Sequence, residues 1–327
     1  MTASLLTRRR FVRAFGAAGL FVATAAEVTA QPSRPVRIIL PVAAGSGVDT
    51  LTRAASQALS RSLGHPVVIE NQPGAGGIIG TQALVKSAPD GYTLSIVSSN
   101  HVVYPSVLKA VPFDAVGDVT PIAVIGSAPM ILVANPKIPA TNARELIALM
   151  KAKPDAFNYA SSGSGTLPHL AAAMFVDEAG VKARHIPYKG AGPMLTDLIG
   201  GQVDFGVLAL GAIHPHLKSG ALRAIGTASA QRSAAAPEIP TFREQGLANY
   251  VVDAWFAVIG PKGMSQADVM RIHSALVSTF AAPEVKEAMD KQGNMVALTT
   301  PEQAHAYFRS ELAKYAALVK KAGVEPQ

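Results

Sequence analysis

The sequence predicts an α/β protein of two lobes, each a mainly parallel sheet flanked by helices. Three observations carry this expectation. An apolar strand, a turn of glycines and hydroxyls, and a helix follow one another near residues 36–63, and the same order returns near 157–179. The first of these units runs on into another apolar stretch at 67–70, completing a βαβ unit, which implies a parallel sheet with its crevice at the carboxyl ends of the strands. The chain of 327 residues also exceeds an ordinary single domain and can fill two cores.

Residues 1–30 read as an export signal. Arg8-Arg9-Arg10-Phe11-Val12-Arg13 is basic, 15–26 is apolar, and Val28-Thr29-Ala30 places small residues at a cleavage site. The apolar run is short for a membrane span. Thr7-Arg8-Arg9-Arg10-Phe11-Val12 also resembles the twin-arginine pattern, so the route, Sec or Tat, stays open. No later stretch has the length and purity of a membrane helix, and a soluble mature protein is expected. The formal net charge of +7 falls to +4 without this segment, and no basic block follows it, which disfavours nucleic-acid binding. The absence of cysteine excludes disulfides, thiol catalysis and thiolate metal sites.

Lobe 1 is expected over 31–133 plus 253–327, and lobe 2 over 134–252. After the strand at 36–40, the turn Pro41–Asp49 opens a helix striped by Leu51, Ala54, Ala55, Ala58, Leu59 and Leu63, which Gly64 and Pro66 end. The strand at 67–70 leads to Gly74–Gly77, a structural turn, and a helix to about residue 87. A strand at 92–97 ends in Ser98-Ser99-Asn100-His101, polar groups on the same crevice edge. Strands follow at 122–125 and 130–134, and Asn135-Pro136 marks the crossing into lobe 2.

There a helix (143–152), a strand (157–160), a second turn and a helix to about 179 repeat the pattern. The segment 184–187, a helix over 193–199, and strands at 203–208 and 222–227 complete it. The chain returns near 251–259, and the rest is mostly helical. Thr300-Pro301 starts the last helix, striped by Tyr307, Leu312, Tyr315, Leu318 and Val319.

Both turns are suited to an anion. Glycines admit a close guest, hydroxyls donate, and the first helical N–H groups point outward. Neither the first of them nor the Gly74–Gly77 turn satisfies G-x-G-x-x-G, since Thr50 and Ile79 stand where a third glycine would have to be, and a Walker sequence is absent. His214-Pro215-His216 is the sole close histidine pair and lacks a carboxylate nearby in sequence, so no metal is expected. Ser162-Gly163-Ser164-Gly165 fails the nucleophile elbow because Ser162 replaces its first glycine. Reversible binding fits better than catalysis, and no cofactor is expected. A serine hydrolase built on Ser164 and a ligand sensor for a membrane receptor kinase remain as alternatives.

With these residues assembled, the chain resembles the Bug family, periplasmic substrate-binding receptors of tripartite tricarboxylate transporters (TctC-like receptors). The resemblance runs from about Arg34 to Gly323. It rests on Glu70-Asn71-Gln72-Pro73-Gly74-Ala75-Gly76-Gly77, Ala88-Pro89-Asp90-Gly91-Tyr92-Thr93-Leu94, Asn158-Tyr159-Ala160-Ser161-Ser162-Gly163 with Gly165, Thr166 and His169, and Pro187-Tyr188-Lys189-Gly190 before Gly200-Gly201-Gln202-Val203-Asp204.

The resemblance implies a type II periplasmic binding protein, a hinged Venus flytrap that closes on an organic acid and acts as a monomer with integral membrane transporter subunits. It assigns ligand contact to Ala44, Gly45, Ser46, Gly47, Val48 and Asp49, to Ser161, Ser162, Gly163, Ser164, Thr166 and His169, and to the region of Ser98, Asp204 and Leu208. Asp49 cannot attract a carboxylate and is expected to order its loop and waters or cap the helix. Val48 replaces the family's usual threonine. Leu208-Ala209 replaces its common Asp-Asn, which implies either an apolar distal pocket favouring aromatic or aliphatic mono- or dicarboxylates, or simply a core position for Leu208.

Overall fold

The computed structural model describes residues 34–74, 77–321 and 323–326. The export signal expected over 1–30 lies outside them. In chain order come β1 (Val36–Leu40), α1 (Gly47–Leu63), β2 (Val67–Asn71), α2 (Ile78–Val85), β3 (Thr93–Ser98), α3 (Asn100–Val107) and β4 (Val119–Ala134). Next are α4 (Ala143–Ala152), β5 (Asn158–Ser161), α5 (Leu167–Glu178), β6 (Arg184–Pro187), α6 (Ala191–Gly200), β7 (Phe205–Ala209), α7 (Leu210–Lys218) and β8 (Arg223–Thr227). The chain closes with β9 (Asp253–Pro261), α8 (Gln266–Ala281), α9 (Pro283–Lys291), β10 (Met295–Val296) and α10 (Pro301–Lys321).

The strands join in the order β2-β1-β3-β9-β4-β7-β5-β6, with β8 and β10 also paired to β4. At one end β1 runs parallel to β2 and β3; at the other, β5 runs parallel to β6 and β7. The middle is antiparallel, because β9 pairs with β3 and β4, and β4 with β7 and β8. Parallel strands bring their helix-opening turns to one edge at each end of the sheet.

The two expected strands at 122–125 and 130–134 are one strand, β4, of 16 residues. Gly126, Ser127 and Pro129 look like breakers in sequence, yet all three pair with β9. Gly126 is required by a close approach: a Cβ there would lie 2.2 Å from the carbonyl oxygen of Met295 on β10. The pairing of β4 with β9 slips on either side of Ala123 and Val124, so the strand bends without ending.

Helices cover both faces. Leu51, Ala55 and Leu59 of α1 meet Ile272 and Leu276 of α8 over β1 and β3. On the opposite side Trp255, Phe308, Tyr315, Phe175 and Phe205 form the largest apolar cluster, which joins β9, α10, α5 and β7. A third cluster holds Ile131, Met194, Leu208, Leu210 and Ile213 around β4, β7, α6 and α7. Because α10 packs on α3, β4 and α5, it ties the two ends of the sheet together.

Candidate functional site

The turn between β1 and α1 is built around Asp49. Ser46 is the N-cap of α1 and its hydroxyl accepts the Asp49 N–H. The Asp49 carboxylate reaches back to accept the Gly45 N–H at 2.8 Å, and it also takes Arg53 Nε at 2.9 Å and Asn71 Nδ2 at 3.0 Å. These bonds, that of Arg53 foremost, hold its pKa down at about 2. Gly45 itself sits at φ 81°, a left-handed conformation that a side chain would strain. The carboxylate is only 3% exposed and is spent on the loop. That leaves the N–H groups of Gly47 and Val48, the first two of the helix, without partners among the described residues.

Those groups stand at a cleft of about 600 Å³. Its first wall is Val42, Gly45, Ser46, Gly47, Val48 and Thr50. Ser98 and Asn100, where β3 passes into α3, form the second. Ala209, Gly211 and Ala212, at the start of α7, form the third, and Lys291, Gln292 and Asn294, between α9 and β10, the fourth. Ala128, Ala254 and Phe256 line the cleft between these walls. Residues at or next to the N-termini of three helices, α1, α3 and α7, therefore line one space, and each such end carries a partial positive charge. Among the described residues lining it, Lys291 is the single formal charge.

The second turn is held differently. Ser161, fully buried, takes the Gly163 N–H at 3.2 Å, and its Oγ lies 2.6 Å from His185 Nε2. The Gly165 N–H donates to His169 Nδ1 at 3.1 Å, and Thr166 Oγ1 donates to the Gly163 carbonyl at 2.7 Å. The Ser162 hydroxyl donates to Thr166 Oγ1 at 3.3 Å. The rings of His169 and His185 stack at 3.8 Å. Burial, then the proximity of His185, pushes His169 down to about 4, so both rings serve this turn in neutral form.

Of the residues expected at a ligand, Gly45, Ser46, Gly47, Val48 and Ser98 are brought together at the cleft. Ala44 is exposed in the same loop and Asp49 braces it from behind. Ser164 and His169 line a second cavity of about 740 Å³ with Lys109, Tyr159 and His185. Ser161, Ser162, Gly163 and Thr166 line neither of these two cavities. Asp204 accepts the Asn158 N–H at 2.7 Å, pinning the start of β5 to that of β7 at the far end from the turns. Leu208 is 3% exposed in the third apolar cluster, and the cleft wall at this point is its neighbour Ala209.

Sequence reasoning missed α7 and the turn after α9. The strand-to-helix switch at Ala209-Leu210 has no polar cap to announce it. A long helical tail hides Lys291, Gln292 and Asn294 among many similar polar residues. Asn100 lay in a segment already read as polar crevice edge.

The family of tripartite tricarboxylate transporter receptors matches residues 51–324. The chain belongs to that family. A relative, protein BugT of Bordetella pertussis, is 36% identical over 314 residues, covering 94% of this chain and 96% of BugT. The solved periplasmic binding protein BugD is 32% identical with a TM-score of 0.75, covering 90% of this chain and all of BugD. An R. palustris protein solved with adipate is 28% identical with a TM-score of 0.78, over 91% of this chain and 100% of its own. The family's receptors bind solutes, and this α/β chain carries their fold. No helix among the described residues is long and apolar enough to cross a membrane.

Proposed function

We propose that this protein is a periplasmic receptor that binds a small organic carboxylate, aliphatic or aromatic, in the cleft beside α1 and delivers it to the membrane subunits of a tripartite transporter. The observation that carries this reading is the pair of unpartnered N–H groups of Gly47 and Val48 beside the Ser46 hydroxyl, on a loop already locked by Asp49. A carboxylate there meets donors that need no rearrangement. Charge-assisted hydrogen bonds contribute roughly 1.5 to 3 kcal/mol each and a helix end about 0.3 to 1 kcal/mol more. Together these approach the ~8 kcal/mol of micromolar binding.

In this reading the two ends of the sheet are the two lobes, 31–133 with 253–327 and 134–252, and they close on the ligand by bending at β4 and β9. Ser161–Thr166 then form the facing jaw. The R. palustris relative with adipate supports a carboxylate of this size. Reversible binding is favoured over hydrolysis at Ser164, since the neighbouring His169 Nδ1 accepts the Gly165 N–H and His185 Nε2 pairs with Ser161 Oγ, and neither ring is hydrogen-bonded to Ser164 among the described residues.

A thermal-shift screen of the purified protein, freed of bound ligand by dialysis, tests the reading against small carboxylic acids. A ligand that binds only the folded state raises the melting temperature. A rise with one class of acids is expected; no rise with any acid overturns the carboxylate assignment.

A further inference from the structure

The second cavity, of about 740 Å³, shares no lining residue with the cleft among the described residues. Helix α3 runs from one to the other: Asn100 at its start lines the cleft, and Lys109, just past its end, lines the cavity. The turn before α5 is pressed against this helix, since a Cβ on Gly165 would lie 3.0 Å from Val107 Cβ. We infer that the cavity is a second binding site, separate from the cleft, for a tetrahedral oxyanion of the phosphate or sulfate class held by Tyr159, Ser164, His169 and Lys109.

Two buried side chains bring donors to this space and find no acceptor among the described residues. His169 Nδ1 accepts the Gly165 N–H at 3.1 Å, so the proton of the neutral ring sits on Nε2, which makes that atom a donor. Burial raises the Tyr159 hydroxyl to about 12, so it keeps its proton and donates as well. His169 is 5% exposed and Tyr159 6%, and both line the cavity. Neither tip is sealed in, for the sealed polar side-chain atoms without a partner among the described residues are His101 Nδ1 and Tyr315 Oη. The two tips therefore open on the cavity, and a buried donor without an acceptor is costly.

Shape and charge then decide the guest. His169 stacks on His185 at 3.8 Å and Tyr159 on His185 at 5.0 Å, and with so little of His169 and Tyr159 exposed a guest meets their polar rims rather than a stacking face. Lys109 supplies the cation, and the Ser164 hydroxyl stands between them and the N-terminus of α5, whose N-cap Thr166 makes no side-chain cap bond. These donors come from four places in the chain and suit the several oxygens of a tetrahedral anion better than the planar pair of a carboxylate. Glu325 is the one carboxylate lining the cavity among the described residues, and it is exposed on the tail beyond α10, where water can take its charge. The tail itself is anchored by Val324, whose N–H donates to the Val319 carbonyl at 3.2 Å and whose side chain packs on the largest apolar cluster.

The test is isothermal titration of the purified protein, in a buffer free of both anions, with inorganic phosphate and separately with sulfate. The unaltered protein is expected to bind at least one of them at a single site. Tyr159→Phe keeps the ring in its stack and removes only the hydroxyl, and it should weaken that binding by about tenfold. Lys109→Met should do the same, and because Lys109 is exposed its variant tests the site even if Tyr159→Phe fails to fold. Glu325→Gln should bind the anion at least as tightly as the unaltered protein. Gly47→Ala alters the cleft alone and should leave the anion's affinity unchanged, so the result stands whether or not the cleft binds a carboxylate. Absence of binding by either anion overturns the site, as does binding that Lys109→Met leaves unchanged. Loss of the anion in Gly47→Ala overturns it too, by moving the anion to the cleft.

Discussion

The carboxylate of Asp49 accepts the backbone N–H of Gly45, four residues behind it, at 2.8 Å. An acidic residue thus shapes a loop proposed to hold an anion: its charge is absorbed by Gly45, Arg53 and Asn71, and the loop it holds leaves the Gly47 and Val48 N–H groups without partners among the described residues.

Asp49→Asn keeps the size of the side chain but loses the charge that Arg53 and Gly45 answer. Weaker bonds to charged groups predict a loss of about 1 to 3 kcal/mol of stability. Ligand affinity should fall in parallel, measured by chemical denaturation and titration calorimetry on the same samples. In the unaltered protein this group's contribution to stability is fully present above its unfolded pKa near 3.8 and is lost as pH falls from there toward about 2.

Gly45 and Gly47 separate strain from contact. Gly45 holds φ 81°, so Gly45→Ala forces a left-handed alanine and should lower stability by roughly 1 to 2 kcal/mol. Gly47 opens α1 in ordinary helical space with nothing within 4 Å of a new Cβ. Gly47→Ala should leave the melting temperature level or slightly raised, yet weaken ligand binding because its methyl enters the cleft.

Two buried histidines set a pH dependence. His101 and His169 are both pushed down to about 4, chiefly by burial. Between pH 6.5 and 4 the unfolded chain binds protons that the folded chain refuses, so stability falls as pH falls through that window. Melting temperatures measured from pH 7 to 4 should decline, and His169→Gln should flatten the decline. A flat profile in the unaltered protein would contradict the assignment.

Trp255 is the only tryptophan, and its two neighbours Ala254 and Phe256 line the cleft. Its Nε1–H donates to the buried Glu311 at 2.9 Å on the opposite side. Ligand binding should therefore change the intrinsic fluorescence, read by direct titration. Trp255→Phe leaves Glu311 short of a donor and should cost about 1 to 3 kcal/mol.

Much of the fold was legible because its signals are local. The stripe on α1, the glycine at its end and the apolar runs of β1, β3 and β7 each arise from residues close in sequence. The continuity of β4 was not, because Gly126 and Pro129 break strands by local rules while distant β9 and β10 decide the outcome. The first turn was legible for the same local reason, since cap, glycines and acid fall within five residues. The wall from Lys291 to Asn294 was hidden because it is defined by what lies across the cleft, more than 190 residues earlier for Ser98. Leu208 carried two sequence readings that only its packed surroundings separate: strand alternation gives it the core and Ala209 the cleft.

The long strand β4 has a mechanical consequence. A single unbroken peptide backbone belongs to both ends of the sheet and runs hydrogen-bonded along β9 through its slipped register. The closure proposed above would therefore have to bend this shared backbone, and not swing about a free linker between the two ends.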